Sequence, residues 1–306
     1  MANISAQDVK RLREMTGCGM MDCKNALVKS EGNFDDAIQL LREMGAAKAV
    51  KKEGRIAAEG VVDIMVEGNS AVIVEVNIET DFAAKSAPFR EFVTGLMQTI
   101  LATRPADVDA LKACTYFGTN DTVETILQDR IGTISEKISI RRFQIVDGTV
   151  ASYIHGAGET GVIITFDTDV AADARFAEAA KNVALQVAAI PCRFVNREAV
   201  PASVIEEEKN ILLAQLANDE KFASKPEKVK EGIVTGKIGK FYEENCLTEQ
   251  AYVKDDSLSV GKYIASVAKE IGGSIAITGF IRFDKGEGIE KKEENFAEEI
   301  AKMVNG

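Results

Sequence analysis

Residues 60 to 92 and 148 to 183 read as two copies of one unit, and this repetition limits the possible folds more than any other property of the chain. The first copy runs from Gly60 through Val61-Val62-Asp63-Ile64-Met65-Val66 and turns at Gly68-Asn69-Ser70. It continues as Ala71-Val72-Ile73-Val74-Glu75-Val76 and then places Phe89 and Phe92 on a helical segment. The second runs from Gly148 through Thr149-Val150-Ala151-Ser152-Tyr153-Ile154, a glycine turn, Gly161-Val162-Ile163-Ile164-Thr165-Phe166, then Phe176 and Val183. β-Branched runs split by glycine turns form antiparallel hairpins, and the wider apolar spacing beyond each loop indicates a helix. The expected fold class is therefore α+β, built on a duplicated core with antiparallel strands.

The copies diverge at the loop after the second strand, where the first has Thr80-Asp81-Phe82-Ala83-Ala84-Lys85 and the second has Asp169-Val170-Ala171. Two explanations stand at this level. Asp81 could N-cap the next helix while Phe82 packs inward, or the loop could be altered for use, since connecting loops carry function more readily than cores do.

With 306 residues and 46% hydrophobic content, the chain can bury a sizeable core and divide into modules. No apolar run approaches the ~20 residues that span a bilayer, and no apolar leader pattern is evident, so a cytoplasmic protein without a membrane partner is expected. Cys18, Cys23, Cys114, Cys192 and Cys246 are odd in number and scattered, which fits free thiols in a reducing compartment. The net charge of -11 argues against direct nucleic-acid binding. Residues 1 to 55 carry a net +2, leaving -13 for the remainder; a mildly basic head on an acidic body could meet an acidic protein surface.

That head, residues 1–55 with its linker, reads as three short helices. Ser5 and Asp8 have capping-box spacing, with Val9, Leu12 and Met15 following at helical intervals. Thr16-Gly17-Cys18-Gly19 interrupts, a second helix is predicted from Met20 to Lys29, and a third from Asp35 to Met44, starting near Asn33 and ending at Gly45. Ala46 to Glu59 reads as a partly helical linker. Adjacent helical residues point about 100° apart, so one of Met20 and Met21 should be exposed, either as harmless surface or as an adaptable partner contact.

The body divides into a first repeat at 56–145 and a second at 146–200 and 247–283. Between the two parts of the second lies an inserted antiparallel helical hairpin at 201–246. Ser203-Val204-Ile205-Glu206 resembles a capping box opening one of its helices, and Ser224-Lys225-Pro226-Glu227 opens the other, so the insert should protrude like a short coiled coil. Ser259 to Glu270 reads as a helix, Ile275 to Phe283 as a strand, and 284–306 as a C-terminal module. In that module Phe296, Ile300 and Met303 recur at i, i+4 and i+7, as in an amphipathic helix.

The search for catalytic chemistry returns little. His155 is the single histidine, at a strand end beside a hairpin, where a contact role is commoner than a general base. Gly156-Ala157-Gly158-Glu159-Thr160-Gly161 matches a dinucleotide fingerprint in form, but a strand follows where the phosphate needs a helix N-terminus, so it reads as a turn. Cys18 and Cys23 lack histidine partners, and Glu206-Glu207-Glu208 and Glu293-Glu294 sit on helical surfaces, so no metal site and no cofactor are expected. An interaction protein outranks an enzyme.

Several stretches together resemble one family. They are Leu12-Arg13-Glu14-Met15-Thr16-Gly17-Cys18-Gly19-Met20-Met21-Asp22-Cys23-Lys24, Thr80-Asp81-Phe82-Ala83-Ala84-Lys85, Ser152-Tyr153-Ile154-His155-Gly156, and Gly279-Phe280-Ile281-Arg282-Phe283 with Gly286-Glu287-Gly288-Ile289-Glu290. In this order the chain resembles the bacterial type of translation elongation factor Ts over essentially its whole length. Ala83 stands where the family commonly has valine, and Cys18 where it has a small residue. The resemblance implies a guanine nucleotide exchange factor for the GTPase elongation factor Tu, with a ubiquitin-associated-like head gripping the GTPase through Arg13, Met20, Met21 and Lys24. It further implies that Thr80, Asp81, Phe82 and Ala83 wedge into the GTPase and displace its magnesium ion, that His155, the helical arm and the tail add contacts, and that a higher-order complex could form.

Overall fold

The central strands of the two repeats decide the layering. In the computed structural model, which describes residues 4–217, 222 and 225–290, β1 (Glu59–Glu67), β2 (Ser70–Ile78) and β3 (Ile138–Asp147) form an antiparallel sheet with β2 in the middle. Val72, Val74, Val76 and Ile78 point to one face of β2 and join Phe89, Phe92, Leu96 and Ile100 of α5 (Ala87–Thr103) in a core with α7 (Val123–Ile134). The alternate residues Ala71 and Ile73 point to the other face, against Ile163 and Phe283 of the second sheet. With both faces covered, β2 is apolar almost throughout, as strands buried on both sides are. The short helices α4 (Asp81–Ala84) and α6 (Val108–Ala113) lie in the connections.

The second repeat repeats this plan: β4 (Thr149–His155), β5 (Thr160–Thr168) and β8 (Ile275–Asp284) form its sheet with β5 central. α8 (Ala174–Ala189) and α11 (Val260–Ile271) cover its outer face through Phe176, Val183, Val187, Val260 and Ile264. The whole core is a helix, sheet, sheet, helix stack. The glycine-rich turn is part of this packing. Gly158, at φ 106°, receives the Val62 N–H on its carbonyl at 2.9 Å, and a Cβ on Gly161 would run into Val62 and Ile73. The turn reading holds, and its glycines serve the approach of one sheet to the other.

The duplication extends further than the sequence pattern showed. Each repeat adds a second helix and a third strand, α7 with β3 and α11 with β8. Both helices end on a left-handed residue, Ser135 at φ 65° and Gly272 at φ 83°. The central strands even share a register shift, at Glu75/Val76 against β3 and at Thr165/Phe166 against β8. Between α8 and α11 the second repeat carries the arm, α9 (Ala202–Ala217) and α10 (Glu227–Asn245), followed by the small ribbon of β6 (Ala251–Tyr252) and β7 (Asp255–Ser259). Leu212 meets Val234 and Ile238 along the arm, and Val200 meets Phe241 and Cys246 at its base, which makes the two helices antiparallel.

The head consists of α1 (Ala6–Thr16), α2 (Met20–Lys29) and α3 (Phe34–Lys52), closed over Val9, Leu12, Cys23, Ala26, Leu27, Ala37 and Leu41. The Ser5–Asp8 capping box forms, Gly17 turns the chain at φ 68°, and Asn33 caps α3. Gly45, however, does not end α3. The helix continues through most of the expected linker, because Gly45 is where α3 crosses α7: a Cβ at Gly132 would lie 3.0 Å from the Gly45 Cα. Gly45 is a close-approach glycine rather than a C-cap. Ser203 likewise lies inside the first turn of α9, which begins at Ala202, instead of capping it. Ser224, Glu293, Glu294, Phe296, Ile300 and Met303 lie outside the described residues.

Candidate functional site

The loop after β2 forms a single helical turn whose base is held from several directions. Thr80, not Asp81, is the N-cap of α4: its Oγ1 accepts the Ala83 N–H at 3.2 Å. Thr80 in turn donates through both N and Oγ1 to the two carboxylate oxygens of Glu136, at 3.0 and 2.8 Å. Glu79 accepts the Lys137 N–H at 2.6 Å and the Arg55 guanidinium at 3.2 Å, and the Lys137 ammonium closes on the carbonyls of Glu53 and Arg55 at the end of α3. Ala83 and Ala84 pack into the first core, and the Ser86 hydroxyl donates to the Ala83 carbonyl.

On this base Phe82 points outward, with 83% of its surface exposed. The inward-packing reading of Phe82 is thereby overturned. Ala83 and Ala84 already occupy the core side of so short a turn, which leaves only the solvent side for the ring. Asp81 sits beside Phe82 and binds Lys85 at 2.7 Å. That hydrogen bond holds the Asp81 carboxyl below the usual carboxylate range, with smaller help from the Lys85 charge, the Phe82 N–H and the charge of Lys285. The pair is solvent-exposed, so exchanging Lys85 for another donor costs little.

A second exposed apolar surface lies on the head. Met20 and Met21 are 53% and 64% exposed, so both, and not just the one expected, face solvent. Cys23, Ala26 and Leu27 fill the inner face of α2 and leave no room for either methionine. Lys24 is exposed on the same helix and Arg13 near the end of α1. Val28, also exposed, follows Lys24 by four residues and extends the patch; that interval is the signal by which it could have been found.

His155 closes β4 in the open, its Nδ1 3.2 Å from the Tyr153 hydroxyl. The hairpin beyond it is tied to the loop region by two contacts. Arg90 of α5 donates to the Ala157 carbonyl at 3.0 Å, and the Lys285 ammonium bridges Glu159 and Glu59 at 2.7 and 2.6 Å. Burial works against the Lys285 charge, but those two carboxylates outweigh it and raise its pKa. Asp81, Phe82 and His155 thus belong to one region of the core, while Arg13, Met20, Met21 and Lys24 occupy the head. α7 joins the two regions. Its Gly132 abuts α3, a Cβ on Gly17 would meet its Thr133, and Glu136 just beyond its end holds Thr80.

The remaining reactive groups offer little for bond-making chemistry. Burial pushes the Cys192 thiol up to about 12 and raises those of Cys23 and Cys246, which keeps them protonated and poorly nucleophilic at neutral pH. Among the described residues no group of three or more His, Cys, Asp or Glu could hold a metal ion, and no helix is long and apolar enough to cross a membrane. The loop presents an exposed aromatic ring beside a carboxylate, on a turn held at its base by hydrogen bonds.

Comparison with known proteins agrees on a family. The family model described as Elongation factor TS matches residues 79–287. The chain is 43% identical over 304 residues to Elongation factor Ts of Syntrophotalea carbinolica, covering 98% of this chain and 99% of the relative. It is 45% identical over 309 residues to that of Clostridium kluyveri, covering 99% of each, and 45% identical over 308 residues to that of Clostridioides difficile, covering 99% of this chain and 100% of the relative.

Proposed function

This chain belongs to the elongation factor Ts family, and on that premise we propose that it is a guanine nucleotide exchange factor acting on the GTPase elongation factor Tu during translation elongation in the cytoplasm. The observation that carries the mechanism is the exposure of Phe82 on a turn pinned by Thr80 and Glu79. A phenylalanine already desolvated would have nothing to give a partner. Exposed, it supplies about 2 to 3 kcal/mol when buried in a pocket opened between helices of the GTPase.

Thr80, Asp81, Phe82 and Ala83 form the wedge. Phe82 enters, and Asp81 trades Lys85 for donors around the magnesium ion of the GTPase or perturbs that ion's shell. Displacing the metal removes the largest charge that neutralises the nucleotide diphosphate, and release accelerates. Because coupling between sites is reciprocal, nucleotide rebinding weakens the factor's hold, so GTP completes the cycle by expelling it. No acid, base or cofactor of this chain takes part.

Arg13, Met20, Met21 and Lys24 form the grip. Methionine's flexible, polarisable side chain suits a surface that must adapt to a partner, and the compact three-helix head supports the ubiquitin-associated-like assignment. His155, the arm and the C-terminal module add contacts. The units proposed are the head with its linker at 1–55, the first repeat at 56–145, the second at 146–200 and 247–283, the arm at 201–246 and the C-terminal module at 284–306.

The competing reading is a scaffold that holds partners through head, arm and tail, with the loop incidental. Fluorescent GDP release from the GTPase separates the two. The chain at substoichiometric concentration should accelerate release catalytically, and Phe82→Ala should lower that rate about tenfold or more while leaving the melting temperature unchanged. An unaltered rate in the variant would sink the wedge.

A further inference from the structure

The two repeats offer a natural comparison at the foot of this loop. In both, the acid that follows the central strand accepts the N–H of the residue that precedes the third strand. Glu79 takes Lys137 N at 2.6 Å, and Asp169 takes Ser274 N at 2.7 Å. This latch closes the loop in each copy and so cannot account for what only the first copy builds. Among the positions at which the two loops differ, two face each other in both copies. The structure shifts the sequence pairing by one residue, setting Asp169 against Glu79 rather than Thr80; the residue after the acid is then Thr80 in the first repeat and Val170 in the second, and the residue after the helix's left-handed cap is Glu136 in the first and Gly273 in the second. Thr80 and Glu136 bind each other through two hydrogen bonds. Gly273 instead lies flat against Val170, where even a Cβ would collide with the valine methyl. The copy with the pair has the short helix and the projecting phenylalanine; the copy without it has a plain turn after β5.

We infer that Glu136 is a positioning residue for nucleotide exchange, acting through Thr80 to set the helical turn that presents Asp81 and Phe82. A threonine hydroxyl has one proton and can turn it either way. Glu136 takes that proton at 2.8 Å, which leaves an oxygen lone pair facing the Ala83 N–H and makes Thr80 a fixed cap. Its second oxygen holds the Thr80 N–H at 3.0 Å, so the residue cannot rotate as a unit. The carboxylate is aimed by its backbone. Ser135 adopts φ 65°, a left-handed conformation unusual outside glycine, and this turns the chain from α7 back toward the loop. Removing Glu136 leaves Phe82 attached and exposed but no longer held at one angle, and a wedge that must enter a closed interface loses rate when its approach is not preorganised.

This inference rests on the exchange reading of the Phe82 loop, and its test keeps the two apart. GDP release from the GTPase is followed as a function of factor concentration for wild type, Phe82→Ala, Glu136→Ala, Glu136→Gln, Thr80→Val and the Phe82→Ala/Glu136→Ala pair. Glu136→Ala should lower the maximal release rate about tenfold, as losing a charge-assisted hydrogen bond does, while the half-saturating concentration, governed by the head, changes less than about twofold. Glu136→Gln, which retains an acceptor for the hydroxyl, should recover part of the rate. The double variant should be no slower than Phe82→Ala alone, because Glu136 acts through the same loop. Thr80→Val reproduces the second repeat's side chain, should match Glu136→Ala, and serves in its place if that variant fails to fold. Wild-type rates in both Glu136→Ala and Thr80→Val, alongside a slow Phe82→Ala, would overturn the positioning role alone; a wild-type rate in Phe82→Ala would overturn the wedge on which it stands.

Discussion

Single side chains in this molecule owe their roles to what surrounds them rather than to their type. Phe82 and Phe92 lie ten positions apart, yet one is exposed and the other is completely buried in a 6.0 Å stack with Tyr116. Tyr116 is the more informative of that pair. Its hydroxyl donates to the Glu91 and Phe92 carbonyls of α5 at 3.2 and 3.1 Å, over Gly95, where any Cβ would strike the ring. Burial pushes the phenol up to about 12, against about 10 in an unfolded chain. Folding therefore favours the neutral form, and the stability gained is complete below pH about 10 and drains away as pH rises toward about 12. Urea midpoints measured across that window should fall, and Tyr116→Phe should fall less steeply over the same range. His155, by contrast, stands in solvent at the end of β4, its Nδ1 3.2 Å from the Tyr153 hydroxyl.

Among the elements, α3 departs furthest from its sequence expectation. A glycine after an apolar helical run is a sound stop signal, and at Gly45 it fails because the reason for glycine is another helix. α3 and α7 touch backbone to backbone at Gly45 and Gly132, and the helix continues so that Ala49 reaches the first core. The head is thus mounted on the body by a helix shared between them. Gly132→Leu should force the two backbones apart and destabilise the fold by about 1 to 3 kcal/mol, the usual cost of overpacking. Thermal melts would register the loss, and limited proteolysis should show faster cleavage between the head and β1. Unaltered stability and protection would mean that the crossing is looser than its geometry. β2 illustrates the opposite case, in which period and burial agree: its even-numbered residues serve the helices and its odd-numbered ones the facing sheet.

Across the whole molecule, the two repeats are locked by ionic contacts at the edge of their sheet-to-sheet interface. Glu75 is 0% exposed on the odd face of β2. It accepts from Arg141 at 2.9 Å, Arg142 at 2.7 Å, the Asn77 amide at 3.2 Å and the Gly286 N–H at 2.8 Å, the last from the segment that follows β8. Lys285 adds Glu59 and Glu159, and Arg141 and Arg142 reach Glu287. Glu75→Ala would remove the buried acceptor shared by Arg141, Arg142, Asn77 and the Gly286 N–H, while the two half-buried guanidinium groups keep access to water and Glu287, and should cost about 1 to 3 kcal/mol, seen as a lower urea midpoint. A variant as stable as the parent would show that water or a neighbouring acid takes the place of Glu75. The duplicated strands, the helices of the head and the capping box at Ser5 were legible in the sequence alone, because each is written in spacings of a few residues. What only the tertiary structure decided was set by partners distant along the chain. The direction of Phe82 depends on Ala83 and Ala84 filling the core, the cap at Thr80 on a carboxylate 56 positions away, and the length of α3 on a glycine in α7. Local periodicity says which side chains share a face, but it cannot say which distant group that face will meet, and here the distant groups shape the loop that reaches outward.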